Sequence, residues 1–226
     1  TDAPSALSGA DTVVADPTRR RNILIAMILA LVAVVASVSG LNVAQQDLAA
    51  DLGASQSELL WIINGYTMAL AALLMPVGAI GDRFGRKPIL LAGLALFAFA
   101  NLGAALASST TTLLIARVAA GAAAAMIMPV TLSVITSSFP AEERAKAVGT
   151  WSGFAGAGGI LGLFVSSFLI DRVSWPWLFV MPIAFAVVGL AMTLRYVGNS
   201  REDHAGRFDV AGSILSAIAI GGLVLG

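Results

Sequence analysis

The sequence predicts an all-α membrane protein, with six transmembrane helices followed by the start of a seventh, and three observations carry that fold class. The 226 residues are 58% hydrophobic and only 12% charged, against roughly 25% charged in ordinary globular chains. The charges are clustered, which leaves seven stretches free of Asp, Glu, Lys and Arg: 22–46, 59–81, 88–116, 118–141, 147–170, 173–194 and 210–226. The first six each reach the roughly 20 residues that a helix needs to cross hydrocarbon. They are apolar all round, with no polar face for water, which excludes a soluble helical bundle. Nor do they alternate with the period of two expected of barrel strands, so helices are the only spanning element left.

Residues 1–21 are read as a disordered cytoplasmic tail, small, polar and Pro/Ala-rich before it ends in Arg19, Arg20 and Arg21. The first span is too long for the apolar region of a signal peptide and no small-residue cleavage site follows it, so it is retained. Spans two and three are joined by a short turn carrying Asp82, Arg83, Arg86 and Lys87. So short a connection makes them antiparallel neighbours with the turn at one membrane face. A loop at 108–112 leads into span four, which contains Arg117, and spans five and six complete a six-helix domain over 22–196. Residues 197–226 hold a polar cytoplasmic linker and a seventh apolar run of about 25 Å at 1.5 Å per residue. That is short of a roughly 30 Å hydrocarbon core, so the seventh span is expected to be truncated at Gly226.

Charge sidedness orients the chain. Arg19, Arg20, Arg21, Arg83, Arg86, Lys87, Arg144, Lys146, Arg195, Arg201 and Arg207 fall on one face and Arg172 alone on the other, while Asp47, Asp51 and Glu58 occupy a loop without Lys or Arg. The positive-inside rule makes the amino terminus and the Asp82 turn cytoplasmic. The sequence has no cysteine and a single histidine, His204, so disulfides, thiolate metal sites and a bound metal are not expected. No glycine loop with a following Lys and Ser/Thr prepares a phosphate site. An enzyme, a cofactor and a nucleic-acid partner are therefore not expected.

The order Gly78-x-x-x-Asp82-Arg83-x-Gly85-Arg86-Lys87 resembles the signature between helices 2 and 3 of major facilitator superfamily transporters, with six positions matching at fixed spacing. Three further stretches are similar to the fourteen-span drug:proton antiporters of that superfamily. They are Leu41-Asn42-Val43-Ala44 with Trp61-Ile62-Ile63-Asn64-Gly65-Tyr66, the run from Leu113 through Arg117 and Gly121 to Pro129, and Phe208-Asp209-Val210-Ala211-Gly212. The resemblance covers residues 20 to 226. It implies the amino-terminal six-helix half of a two-half transporter with the substrate site between halves. Two departures stand out. Ser37 occupies the place of a membrane-embedded Asp in span one. The span-five antiporter motif, Gly-Pro-x-x-Gly-Gly in the family, ends Gly162-Leu163-Phe164-Val165-Ser166-Ser167 here. No acidic residue lies mid-span in this half, so proton coupling would need a carboxylate from the missing half.

The resemblance also assigns site residues. Gly78, Asp82, Arg83, Gly85, Arg86, Lys87 and Arg144 would form a conformational latch, with Arg83, Arg86 and Arg144 able to donate charge-assisted hydrogen bonds to Asp82. Arg117, an arginine at membrane depth, is a functional candidate, or else snorkels to the nearby interface. As a functional group it would organise a proton or polar network with Asn42, Gln45 and Gln46. Trp61, Asn64, Tyr66, Met68, Met126, Met128 and Phe154 would line a weakly polar substrate cavity; Trp61 could instead anchor at the interface, as Trp175 and Trp177 are expected to. The glycine- and alanine-rich runs 121–125 and 153–162 are read as helix-packing surfaces.

These features point to a secondary active transporter in the plasma membrane, exporting drugs or lipophilic small molecules by alternating access with proton coupling. Its partners would be a small-molecule substrate, protons, the lipid bilayer and the missing carboxy-terminal half. Two other readings stay open: a non-antiport metabolite or lipid transporter, and a non-transporting membrane scaffold should the chain end at residue 226.

Overall fold

Local chemistry sets the helix ends. In the computed structural model, which describes residues 13–199, α1 (Pro17–Val43) opens with Asp16 accepting the Thr18 N–H at 2.9 Å and Pro17 in its first turn. Proline suits that position because its missing N–H has no intrahelical partner there. Residues 17–21, read from sequence as tail, are therefore helical. The Val14 N–H donates to the Ser138 carbonyl at 3.0 Å, which ties the segment before α1 to the bundle. The acidic loop that follows α1 forms a short helix, α2 (Gln45–Leu52), ended by Gly53 at φ 62°.

A reciprocal capping box starts α3 (Gln56–Phe84): Ser55 Oγ accepts the Glu58 N–H at 3.3 Å and Glu58 Oε2 accepts the Ser55 N–H at 2.9 Å. Gly85 alone separates α3 from α4 (Arg86–Ala105), so the polar turn is one residue long and Gly78 through Phe84 belong to α3. Its φ of 111° lies where a side chain would be strained. Ser109 caps α5 (Thr110–Ser138) through the Thr112 N–H, and α6 (Ala141–Arg172) begins just after Pro140. A 3₁₀ turn, Trp175–Phe179, leads into α7 (Val180–Tyr196), and the Trp175 indole N–H pins it to Asp51 at 2.8 Å. The linker beyond Asn199, the seventh apolar run, His204, Arg201, Arg207 and the 208–212 stretch lie outside the described residues.

Among the described residues six helical segments are long and apolar enough to span a membrane, and they pack as two copies of one three-helix pattern. Among α1, α3 and α4, the latter two lean on α5; among α5, α6 and α7, the latter two lean on α1. The exchange is closed by α1 against α5 and α4 against α7. Burial follows the same pairing. The apolar windows of α1 and α5 are each 56% buried, those of α4 and α7 are 39% and 33%, and those of α3 and α6 are each 17%. Alanines at 26, 30 and 33 of α1 and 120, 123 and 124 of α5 are sealed in the centre, with Leu90, Leu94 and Phe97 of α4. Small residues there allow close backbone approach, the main route to tight packing between apolar helices in lipid.

Candidate functional site

At the face bearing the Gly85 turn, basic side chains cap helix ends. Arg86 donates through Nε to Asp82 Oδ1 at 3.1 Å and through Nη1 to the Ser133 carbonyl at 3.4 Å. Lys87 donates to the Leu194 carbonyl at 3.1 Å, Arg19 to the Tyr196 carbonyl at 3.0 Å, and Arg144 to the Phe139 carbonyl at 2.9 Å. Leu194, Tyr196 and Phe139 lie in or just past the last turn of α7 or α5, where carbonyls lack helical partners and a cation complements the dipole, while Ser133 sits a turn further back in α5. This corrects the expected set of aspartate partners. Among the described residues Asp82 accepts from Arg86 alone; Arg83 lies instead over the Phe84 ring, 5.6 Å from its centroid. Gly78 is not part of the turn either. It packs on Pro129 of α5.

The second cluster surrounds Arg117, which is 1% exposed. It does not snorkel. Its Nη1 donates to Ser37 Oγ at 2.9 Å and to the Ser37 carbonyl at 3.3 Å, and its guanidinium sits 4.3 Å from the Tyr66 ring centroid. Ser37 Oγ donates to Asn101 Oδ1 at 3.1 Å, and Asn101 Nδ2 donates to the Phe97 carbonyl at 2.8 Å. The Tyr66 hydroxyl, 32 residues away in sequence, donates to the Val34 carbonyl at 3.2 Å. Four helices, α1, α3, α4 and α5, thus meet through polar groups inside an apolar bundle. A guanidinium at this depth costs at least ~2.5–3.5 kcal/mol on insertion scales, while a desolvated cation–π contact returns ~2 kcal/mol.

The predicted neighbours of Arg117 are elsewhere. Asn42 donates to the Val38 carbonyl one turn back in α1 at 3.2 Å and Gln45, at the start of α2, to the Asn42 carbonyl at 3.4 Å, so both bond to nearby backbone, and Gln46 is exposed. The expected cavity residues divide as well. Tyr66 is fully buried beneath Arg117, and Met126 packs where α5 meets Gly93 of α4. Met68 and Met128 are half-buried, while Trp61, Asn64 and Phe154 are exposed on α3 and α6, the two least covered helices. Ser37 entered the sequence reading only as a departure from the family, and Asn101 was not singled out. Asn101 did carry a signal, as a carboxamide inside an otherwise apolar run.

A polytopic helical membrane protein built from a repeated three-helix unit, with a buried arginine at the meeting of its helices, is the class these features define. The chain belongs to the Major Facilitator Superfamily, whose profile matches residues 24–224. It is 33% identical over 198 residues to the methyl viologen resistance protein SmvA of Salmonella typhimurium, covering 87% of this chain and 40% of that protein. It is 32% identical to the methylenomycin A resistance protein of Streptomyces coelicolor, covering 81% and 38%. To the multidrug efflux pump LfrA of Mycolicibacterium smegmatis it is 33% identical, covering 93% and 42%. The chain therefore spans about two fifths of the length of these relatives. Among solved structures, the peptide transporter POT with sulfate superposes at a TM-score of 0.74 with 14% identity, over 97% of this chain and 49% of that one. The proton:xylose symporter XylE does so at 0.68 with 17% identity, over 92% and 50%. At these identities the likeness is one of fold.

Proposed function

We propose that the chain is the amino-terminal half of a secondary active transporter that exports drugs or lipophilic small molecules by alternating access, coupled to protons. The observation that carries this reading is the likeness, over 81–93% of the chain, to proteins named for resistance and efflux. The sparse burial of α3 and α6 fits a missing half covering them and a substrate path between, with exposed Trp61, Asn64 and Phe154 available to an apolar ligand. In this reading the Asp82–Arg86 pair biases which membrane face is open. Surface pairs contribute only ~0–1 kcal/mol and this one is half-buried, yet two conformations separated by a few kcal/mol respond to that much.

One observation favours a second reading, export without proton coupling. The spans described here contain no carboxylate away from their ends, and Ser37 stands where the family resemblance places one. Efflux of a lipophilic dye from proteoliposomes holding the full-length protein separates the two, with and without an imposed pH gradient. Gradient-dependent efflux is expected. Efflux that ignores the gradient leaves only the second reading, and no efflux at all removes both. In the same assay Asp82→Asn should slow efflux about fivefold, the effect of ~1 kcal/mol on a population, with insertion unchanged. A normal rate would make the turn merely topogenic.

Orientation follows from the charge bias, with the Gly85 turn and the amino terminus cytoplasmic. A reporter fused after Arg86 should read cytoplasmic and one after Ser109 external. The reverse pair of readings would invert the bundle.

A further inference from the structure

Cations from three helices gather at the carboxyl end of α7. Lys87 of α4 donates to the Leu194 carbonyl at 3.1 Å and Arg19 of α1 to the Tyr196 carbonyl at 3.0 Å. Arg195 stands between these two acceptors, exposed, with its guanidinium 5.7 Å from the Tyr196 ring centroid. Both neighbours reach this end because α7 packs on α1 and on α4. Carbonyls two residues apart in a helix are separated by ~5 Å, so the ammonium and the Arg19 guanidinium stand no more than about 11 Å apart. Carboxylates on the same face are engaged elsewhere: Asp16 accepts the Thr18 N–H, Asp82 pairs with Arg86, and Glu143, next to Glu142 at the start of α6, pairs with Arg20. Among the described residues no ion pair involves Arg19, Lys87 or Arg195. Their carbonyl contacts use one donor each on Lys87 and Arg19 and leave the other N–H groups of both free to point outward.

We infer that these side chains form a headgroup site for an acidic phospholipid, its phosphate held among Lys87, Arg195 and Arg19. The site goes beyond the export reading and does not depend on what is exported. Charge-assisted hydrogen bonds to a phosphate are roughly twice as strong as neutral ones, and basic pockets between helix ends at a membrane surface suit such headgroups. A bare helix carboxyl end would repel a phosphate. Here the Leu194 and Tyr196 carbonyls are already turned on Lys87 and Arg19, which offsets that repulsion. A zwitterionic lipid fits poorly, because its ammonium would face the same cations. The acyl chains have a place as well. α4 and α7 pack on each other. Ala191, Val188 and Val187 follow Leu194 along the exposed side of α7 at helical spacing, and Ala92 and Leu96 are exposed on α4. That apolar surface begins at the cations and runs away from them along the two helices, and a free phosphate has no use for it.

Thermal unfolding of the purified full-length protein in a neutral detergent tests the site, with phosphatidylglycerol, phosphatidylcholine of the same acyl chains, or inorganic phosphate added. A ligand that binds only the folded state raises Tm, so phosphatidylglycerol should raise it by at least about 3 °C and the other two by less than about 1 °C. Arg195→Glu, and the double variant Lys87→Gln with Arg195→Gln, should each lose that difference. Arg195→Glu leaves both carbonyl caps in place, so it still reports should the double variant fail to fold. Arg21→Gln with Lys146→Gln removes two exposed cations from the same face and should keep the difference. Equal shifts with the two lipids overturn the inference. So does a difference that survives in either site variant that folds, since the lipid then binds elsewhere. Loss of the difference in the Arg21 and Lys146 variant reduces the effect to diffuse surface charge and also overturns it. A shift with inorganic phosphate as large as that with phosphatidylglycerol makes this a free-anion site and overturns the lipid.

Discussion

Arg117→Ala is expected to reduce efflux by the full-length transporter between about tenfold and a hundredfold, with Arg117→Lys recovering little of the loss. Hydrogen bonds to a charged group contribute ~1.5–3 kcal/mol each, and Arg117 makes two to Ser37 while resting on the Tyr66 ring. The alanine variant leaves the Ser37 carbonyl and hydroxyl facing a void, and the tie between α1 and α5 at this level is gone. Lysine restores the charge but presents a compact ammonium instead of a planar fork, so it cannot serve Ser37 and stack on Tyr66 together. Initial efflux rates normalised to reconstituted protein read the effect directly. A lysine variant running at the parental rate would reduce Arg117 to a point charge, and the geometry around it would then be incidental.

The gross fold was legible because the bilayer makes uncharged runs the dominant signal. Leu113 through Pro129 illustrates both its power and its limit. Arg117 divides two uncharged runs, yet α5 passes through it without interruption from Thr110 to Ser138, with the guanidinium held inside the bundle by Ser37 and the Tyr66 ring. What it pairs with was not legible. Ser37 lies 80 positions away, and a serine in an apolar helix usually bonds its own preceding turn and leaves no trace of a distant partner. Asn42, Gln45 and Gln46 were attractive for being more polar, but Asn42 and Gln45 bond backbone carbonyls three or four residues back and Gln46 is exposed. Lys87 and Arg144 differ from each other in this respect. Their charge marked one membrane face; Arg144 then reaches only five residues back to the Phe139 carbonyl, whereas the use of Lys87 as a cap of α7 depends on which helices neighbour one another. That pairing arises from exchange between the two three-helix units, which no local pattern encodes.

The glycine-rich runs show the same divide, and they supply the largest stability effect expected. A Cβ added at Gly121 would collide with the backbone carbonyl of Tyr66, an atom held by α3 itself and unable to swing aside. One at Gly153 or Gly156 would meet nothing within 4 Å. Composition alone gave all three the same packing role. Gly121→Ala should therefore push α3 off α5, an overpacking cost of ~1–3 kcal/mol or more, and carry the Tyr66 ring away from Arg117. Gly153→Ala should be neutral or slightly stabilising, since alanine is favoured over glycine within a helix by up to ~1 kcal/mol. Thermal unfolding of the purified full-length protein in detergent distinguishes them: a clear drop in Tm for Gly121→Ala, and no drop for Gly153→Ala. Equal shifts would mean that α3 and α5 do not approach through Gly121. The efflux defect of Gly121→Ala should exceed what its loss of folded protein explains, because the displaced backbone is the one that holds Tyr66 beneath the guanidinium.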